Sequence, residues 1–131
     1  MMEMKPPEKK RFSWVKRAKS FTHAGRGVWI FVKSTHNAWI HLALLVCAIG
    51  LGFYFKISHD EWLALALACG LVLTTEAVNT AIELGLDVVS PELHPAARDA
   101  KDVAAGAVLI SAITAILVGA IIFLPRIVGR L

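Results

Sequence analysis

Charged side chains are scarce: Asp, Glu, Lys and Arg make up 18% of the 131 residues, against 56% hydrophobic residues and a mean hydropathy of +0.62. That balance excludes a disordered chain and fits a small membrane protein better than a soluble domain. There are two cysteines, Cys47 and Cys69, each in an apolar stretch and not arranged as a CxxC pair, so neither a zinc site nor a dithiol redox motif is supported. His23, His36, His41, His59 and His94 are scattered, no two of them three or four apart, which speaks against a histidine metal site on a helix. The nucleotide signatures of soluble enzymes are missing as well. No GxxxxGK[ST] occurs, and Gly25-Arg26-Gly27 lacks the third glycine of a GxGxxG loop. The basic N-terminal segment is no secretory signal, because its apolar run starts too late and no small-residue cleavage site follows.

Long apolar runs are what the chain does have. Residues 38–55, 62–81 and 103–124 can each cross or nearly cross a hydrocarbon layer of about 30 Å at about 1.5 Å per residue. The second helix is expected to continue to about residue 89, giving transmembrane helices at 38–55, 62–89 and 103–124. The third run carries no charge, whereas the first is short and contains His41, which leaves a buried hairpin as its alternative. Ahead of them, Phe12, Val15, Ala18, Phe21, Gly25, Val28 and Val32 recur every three or four residues, with Lys16, Arg17, Lys19 and Arg26 elsewhere around the wheel. This predicts an amphipathic surface helix over 11–33, anchored by Trp14 and Trp29, which Gly25 and Gly27 could divide in two. Residues 1–10, with Pro6 and Pro7, read as a flexible tail. The expected fold class is all-α, integral to a membrane, a single domain over residues 1–131.

Eleven of the fourteen Lys and Arg residues precede the first span or lie between the second and third; Lys56, Arg126 and Arg130 fall on the other side. The positive-inside rule then places the N-terminus in the cytoplasm. The net charge of +4 is assigned to this topology and to anionic lipid rather than to nucleic acid. Ser58 or Asp60 is expected to cap the second span, Ser90 with Pro91 and Pro95 to end it, and Asp99 to cap the third. Ala104 to Ala107 form a small-residue patch suited to close helix packing.

The chemistry lies on one stripe. Glu76, Asn79, Glu83 and Asp87 are spaced three, four and four apart, so all four share a helical face. A carboxylate at the centre of a span costs about 2.5–3.5 kcal/mol on insertion scales, so aligned acids require partners. Glu83 and Asp87 are expected at the cytoplasmic interface, with Glu76 about 8 Å further in. The shallow acids suit a hydrated magnesium carrying nucleotide phosphates, and the deep one a lipid hydroxyl, whose proton Glu76 would take while Asn79 orients either partner. Each residue also has a plainer reading. Asp87 could pair with Lys101 or Arg98 and organise the loop; Asp102 could be first-turn helix charge; Glu76 could be an acid satisfied between helices; Lys19 and Arg26 could be a lipid-facing basic surface.

Glu76-Ala-Val-Asn79-Thr-Ala-Ile-Glu83, Asp87 and Ala100-Lys101-Asp102-Val-Ala-Ala-Gly-Ala-Val108 together resemble the signature of the small prokaryotic diacylglycerol kinase and undecaprenol kinase family. The resemblance extends from about Ser20 to Leu124. Ser20-Phe-Thr-His-Ala-Gly-Arg-Gly27 and Ile122-Phe-Leu-Pro125 are closer to the undecaprenol kinase branch. It implies a bacterial inner-membrane homotrimer of three-span subunits with a surface helix, active sites shared between protomers, magnesium-ATP as donor, and undecaprenol or diacylglycerol as acceptor. Carried over by motif, Glu76 is the general base and Glu83 a magnesium ligand. Asn79 and Asp87 are organising or nucleotide contacts, Lys101 and Asp102 contact phosphate and nucleotide, and Lys19 and Arg26 match basic residues of the surface helix.

One position departs from the family. Where it places a second metal-binding glutamate, in a stretch like TEHN or TERN, this chain reads Ser34-Thr35-His36-Asn37. Either Glu83, phosphates and water hold the metal more weakly, or His36 or Asp87 compensates, or activity is lost. Two further readings compete with an active kinase: a catalytically impaired family member, and a small ion-coupled transporter, since acids in spans often relay protons. Clustering of the acids at one membrane face argues against transport, which needs polar groups along the whole depth.

Overall fold

The computed structural model describes residues 13–34, 36–92 and 94–129, and within them all side chains but those of His36 and Asn37. The expected tail at 1–10, Thr35, and the side chain of His36 thus lie outside the described residues. Four helices follow one another, α1 (Trp14–Ser34), α2 (His36–Phe55), α3 (His59–Val89) and α4 (Pro95–Val128), and no strand occurs among the described residues. The last three are long and apolar enough to cross a membrane. With 31 and 34 residues, α3 and α4 are about 46 and 51 Å long, well beyond a hydrocarbon core of about 30 Å, so their ends reach headgroup level.

Helix α1 runs unbroken through Gly25 and Gly27. Both lie on open surface, where the cost of a glycine, about 1 kcal/mol relative to alanine, is too small to interrupt a 21-residue helix. Phe31 is its buried residue, and the helix packs against α2 and α3.

The heart of the fold is the antiparallel α3–α4 pair. On α3, Leu65, Ala68, Val72, Glu76 and Thr80 are buried, a stripe with steps of three and four; on α4, Ala97, Ala104 and Ser111 recur every seventh residue. Small side chains along this seam allow the two backbones to approach, which matters in lipid, where contact rather than hydrophobic drive holds helices together. Ala104 belongs to that seam; Gly106 does not, since a Cβ there would meet nothing. Three polar links fix the register: Glu61 with Arg126 at one end, Thr75 with Ser111 in the middle, Asp87 with Lys101 at the other.

The α2–α3 turn shows how one end is locked. The Ile57 N–H donates to the Gly52 carbonyl (3.1 Å) and the Lys56 N–H to that of Phe53 (3.3 Å), the paired bonds that close a helix through a left-handed residue. Lys56 takes that conformation with φ 51°, a place where glycine would cost less. Ser58 then caps α3: its Oγ accepts the Glu61 N–H (3.3 Å) while the Glu61 carboxylate accepts the Ser58 N–H (2.7 Å). Both carboxylate oxygens of Glu61 also receive the Arg126 guanidinium at 2.8 Å, which ties the cap to the last turns of α4. Beneath it Ile57, Leu65, Ile122 and Phe123 form a core with Phe55 and Trp62 packed against it. Gly52 lies under the Trp62 ring, and a Cβ there would sit 2.6 Å from its Cη2. Gly52→Ala is therefore expected to destabilise the protein by about 1–3 kcal/mol, read as an earlier thermal transition in detergent; an unchanged transition would mean that the ring moves aside freely.

At the other end, α4 begins at Pro95 rather than near Asp99. Pro95 suits the first helical position, where no N–H is needed, and His94 is the cap, its Nδ1 accepting the Ala96 N–H at 3.2 Å. Asp99 stands a turn inside the helix, so Lys101 and Asp102 project from its second turn and not from its first.

Candidate active site

Glu76 is 2% exposed, the most completely enclosed large side chain among the described residues. It is placed there by periodicity: one turn on from Val72 along the stripe that faces the other helices, it occupies a position that apolar residues hold elsewhere. Among the described residues no hydrogen bond or ion pair reaches its carboxylate. Its peptide carbonyl accepts the Thr80 hydroxyl at 2.9 Å.

One turn along, the half-buried Asn79 donates through Nδ2 to the Glu83 Oε1 at 3.0 Å, leaving Asn79 Oδ1 buried without a partner among the described residues. A buried amide oxygen without a donor costs about 1–3 kcal/mol, a cost a ligand hydrogen would remove. Near the end of α3, Asp87 accepts from Lys101 Nζ at 2.5 Å across to α4. The carboxylate is 63% exposed, and such pairs contribute about 0–1 kcal/mol, so the ammonium can turn to a phosphate at little cost to the fold. Asp87 thus pairs with Lys101, and not with Arg98.

The expected site residues fall into two couples and several single groups. Asn79 joins Glu83, and Asp87 joins Lys101; Glu76 lies deeper on the same stripe. Asp102 is exposed on α4, and Lys19 and Arg26 are exposed on α1, none of them bonded to the acids among the described residues. No three His, Cys, Asp or Glu side chains among the described residues converge as a ready-made metal cage.

Two hydroxyl residues escaped the sequence reading. Thr75 Oγ1 and Ser111 Oγ lie 2.7 Å apart across the α3–α4 seam, next to Glu76 in the chain. Interhelical hydrogen bonds in membranes are worth about 0.6 kcal/mol on average, so this one adds little to stability. A threonine before an acid gives no signal of it by itself; Ser111 as the sole polar member of the buried seven-residue spacing on α4 is the feature that marks it.

Residues 22–123 match the prokaryotic diacylglycerol kinases as a family. The chain belongs to that family. Over 108 residues it is 39% identical to the undecaprenol kinase of Bacillus subtilis, covering 82% of this chain and 88% of that protein. Over 107 residues it is 37% identical to a diacylglycerol kinase of Synechocystis, with 81% and 61% covered. Over 109 residues it is 34% identical to a diacylglycerol kinase of Helicobacter pylori, with 82% and 83% covered. No solved structure matches the chain. Membership makes this membrane protein a lipid kinase, with ATP the phosphoryl donor the family implies, and it removes the ground for reading the acids as an ion-coupled transporter.

Proposed function

We propose that the protein transfers the γ-phosphoryl group of magnesium-bound ATP directly to the hydroxyl of a membrane lipid, undecaprenol in preference to diacylglycerol. The observation that carries this is the enclosed Glu76 carboxylate on the same helical stripe as the Asn79–Glu83 and Asp87–Lys101 couples. Glu76, the deep acid, accepts the hydroxyl proton as the lipid oxygen attacks phosphorus, and the bond from phosphorus to the bridging oxygen breaks to release ADP. Asn79 orients the reacting oxygen, Lys101 neutralises developing phosphate charge, and Asp87, Asp102, Lys19 and Arg26 hold the nucleotide.

Magnesium fits this donor set: it needs one or two carboxylates plus phosphate oxygens and water, which Glu83 and a nucleotide provide without a protein cage. When bound, it offsets the negative charge of the phosphates. The chain would assemble as a homotrimer in the bacterial cell membrane, N-terminus cytoplasmic, as a single membrane domain with α1 lying amphipathically on the surface. A shared site accords with the exposure of Asp87 and Asp102 and with large exposed apolar side chains such as Leu67 (75%) and Ile121 (75%).

The undecaprenol preference rests on the Ser20–Gly27 and Ile122–Pro125 segments and on the Bacillus relative. It is tested with the purified protein, labelled ATP and each lipid in the same vesicles: undecaprenol is expected to take up label with the larger kcat/KM, and a preference for diacylglycerol would reverse the assignment. Thr35, standing where the family has a metal-binding glutamate, favours a second reading, that of an impaired member. Thr35→Glu is expected to lower the magnesium concentration for half-maximal rate several-fold; an unchanged requirement would count against a metal at that place.

A further inference from the structure

We infer that Thr75 and Ser111 form a positioning pair that sets the placement of the Glu76 carboxylate, a role that rests on the reading of Glu76 as general base. The α3–α4 seam holds three polar links, of which two lie at its ends, where water is near. The third is in the apolar middle, between Thr75 Oγ1 and Ser111 Oγ at 2.7 Å, and Thr75 is the residue before Glu76. Ser111 and Glu76 are each 2% exposed and Thr75 is half-buried, so the hydroxyl pair lies beside the enclosed acid on the same seam.

Proton counting shows why the link is firm. Thr75 Oγ1 also lies 3.0 Å from the carbonyls of Leu71 and Val72, and Ser111 Oγ lies 2.8 Å from that of Val108. If Thr75 donates to Ser111, Ser111 donates to Val108; if Ser111 donates to Thr75, Thr75 donates to Leu71 or Val72. Either way both hydroxyl protons are used and one of them bridges the helices. Five residues along, Thr80 donates to the Glu76 carbonyl at 2.9 Å. The turn that carries Glu76 is thereby tied to α4 just before the acid and braced along α3 just after it.

The link is too weak to be needed for folding, yet catalysis is far more sensitive to position than stability is. A displacement of about 1 Å at a reacting group can cost about 100-fold in rate. The signature of positioning is consequently a fall in turnover out of proportion to the fall in stability.

The test compares Thr75→Val, Ser111→Ala, the double variant and Thr75→Ser with the wild type in vesicles. Thr75→Val and Ser111→Ala are each expected to lower kcat about 10-fold, with KM for ATP and for undecaprenol within twofold and a thermal transition within a few degrees. Thr75→Ser, which keeps the hydroxyl, should restore turnover, and the double variant should be no slower than the slower single one. A readout independent of turnover is the labelling rate of Glu76 by a hydrophobic carbodiimide, followed by mass spectrometry. That rate should change at least threefold in Thr75→Val and Ser111→Ala and return in Thr75→Ser. Unchanged kcat and labelling, or losses that merely track thermal stability without rescue by serine, would overturn the inference. A wild type that transfers no phosphate to lipid would instead remove the general-base reading, while the labelling rates would still decide whether the pair places Glu76.

Discussion

Glu76→Gln is expected to lower kcat for lipid phosphorylation by about 1,000-fold while the protein remains folded. General bases contribute about 10²–10⁴-fold, and glutamine keeps the shape and most of the volume of the acid but cannot accept a proton from an alcohol. Folding should survive because no ion pair or hydrogen bond of the carboxylate holds the described helices together; what Glu76 gives the fold is its enclosed volume, which glutamine keeps. Removing a carboxylate from an apolar seam can even raise stability, since charge inside a span is costly. The measurement is steady-state lipid kinase activity beside a thermal transition in the same detergent. Turnover within threefold of wild type would take the proton-accepting role away from Glu76.

Glu83→Gln should have the second largest effect, of a different kind. The Asn79 amide can still donate to the Oε1 of glutamine, so the 3.0 Å couple need not break, but the negative charge proposed to hold the metal is gone. Metal stabilisation of transferring phosphate is worth several kcal/mol, hence a loss of about 100-fold or more at ordinary magnesium. Part of that loss should return as magnesium is raised, because water and phosphate oxygens can fill a ligand position at higher ion concentration. Rates measured across a magnesium series separate the two acids: the Glu76 variant stays slow throughout, whereas the Glu83 variant recovers in part. Identical magnesium curves for wild type and Glu83→Gln would place the metal elsewhere.

The contrast between the two acids also shows what a sequence can and cannot disclose. Long apolar runs and aligned acids are one-dimensional signals, so the three long helices and the stripe from Glu76 to Asp87 could be read from spacing alone. Helix ends depend on competition between neighbouring residues: at α4, Asp99 is a good capping residue, but Pro95 already starts the helix and His94 caps it. Pairing across helices was legible only where charges of opposite sign were few, as for Asp87, whose candidates were Lys101 and Arg98. The bond between Glu61 and Arg126 joins residues far apart in the chain, and the one between Thr75 and Ser111 joins two common hydroxyls. Both follow from the register of α3 against α4, which is set by how small residues at Ala97, Ala104 and Ser111 pack and is not written in either helix alone.

Direct transfer to lipid is best examined by following the label of γ-labelled ATP in vesicles containing undecaprenol and the wild-type protein. Label is expected in the lipid phosphate in proportion to ADP formed, with no more ADP in the absence of lipid than in protein-free vesicles. ADP released with its label in inorganic phosphate, at a rate indifferent to lipid, would contradict direct transfer.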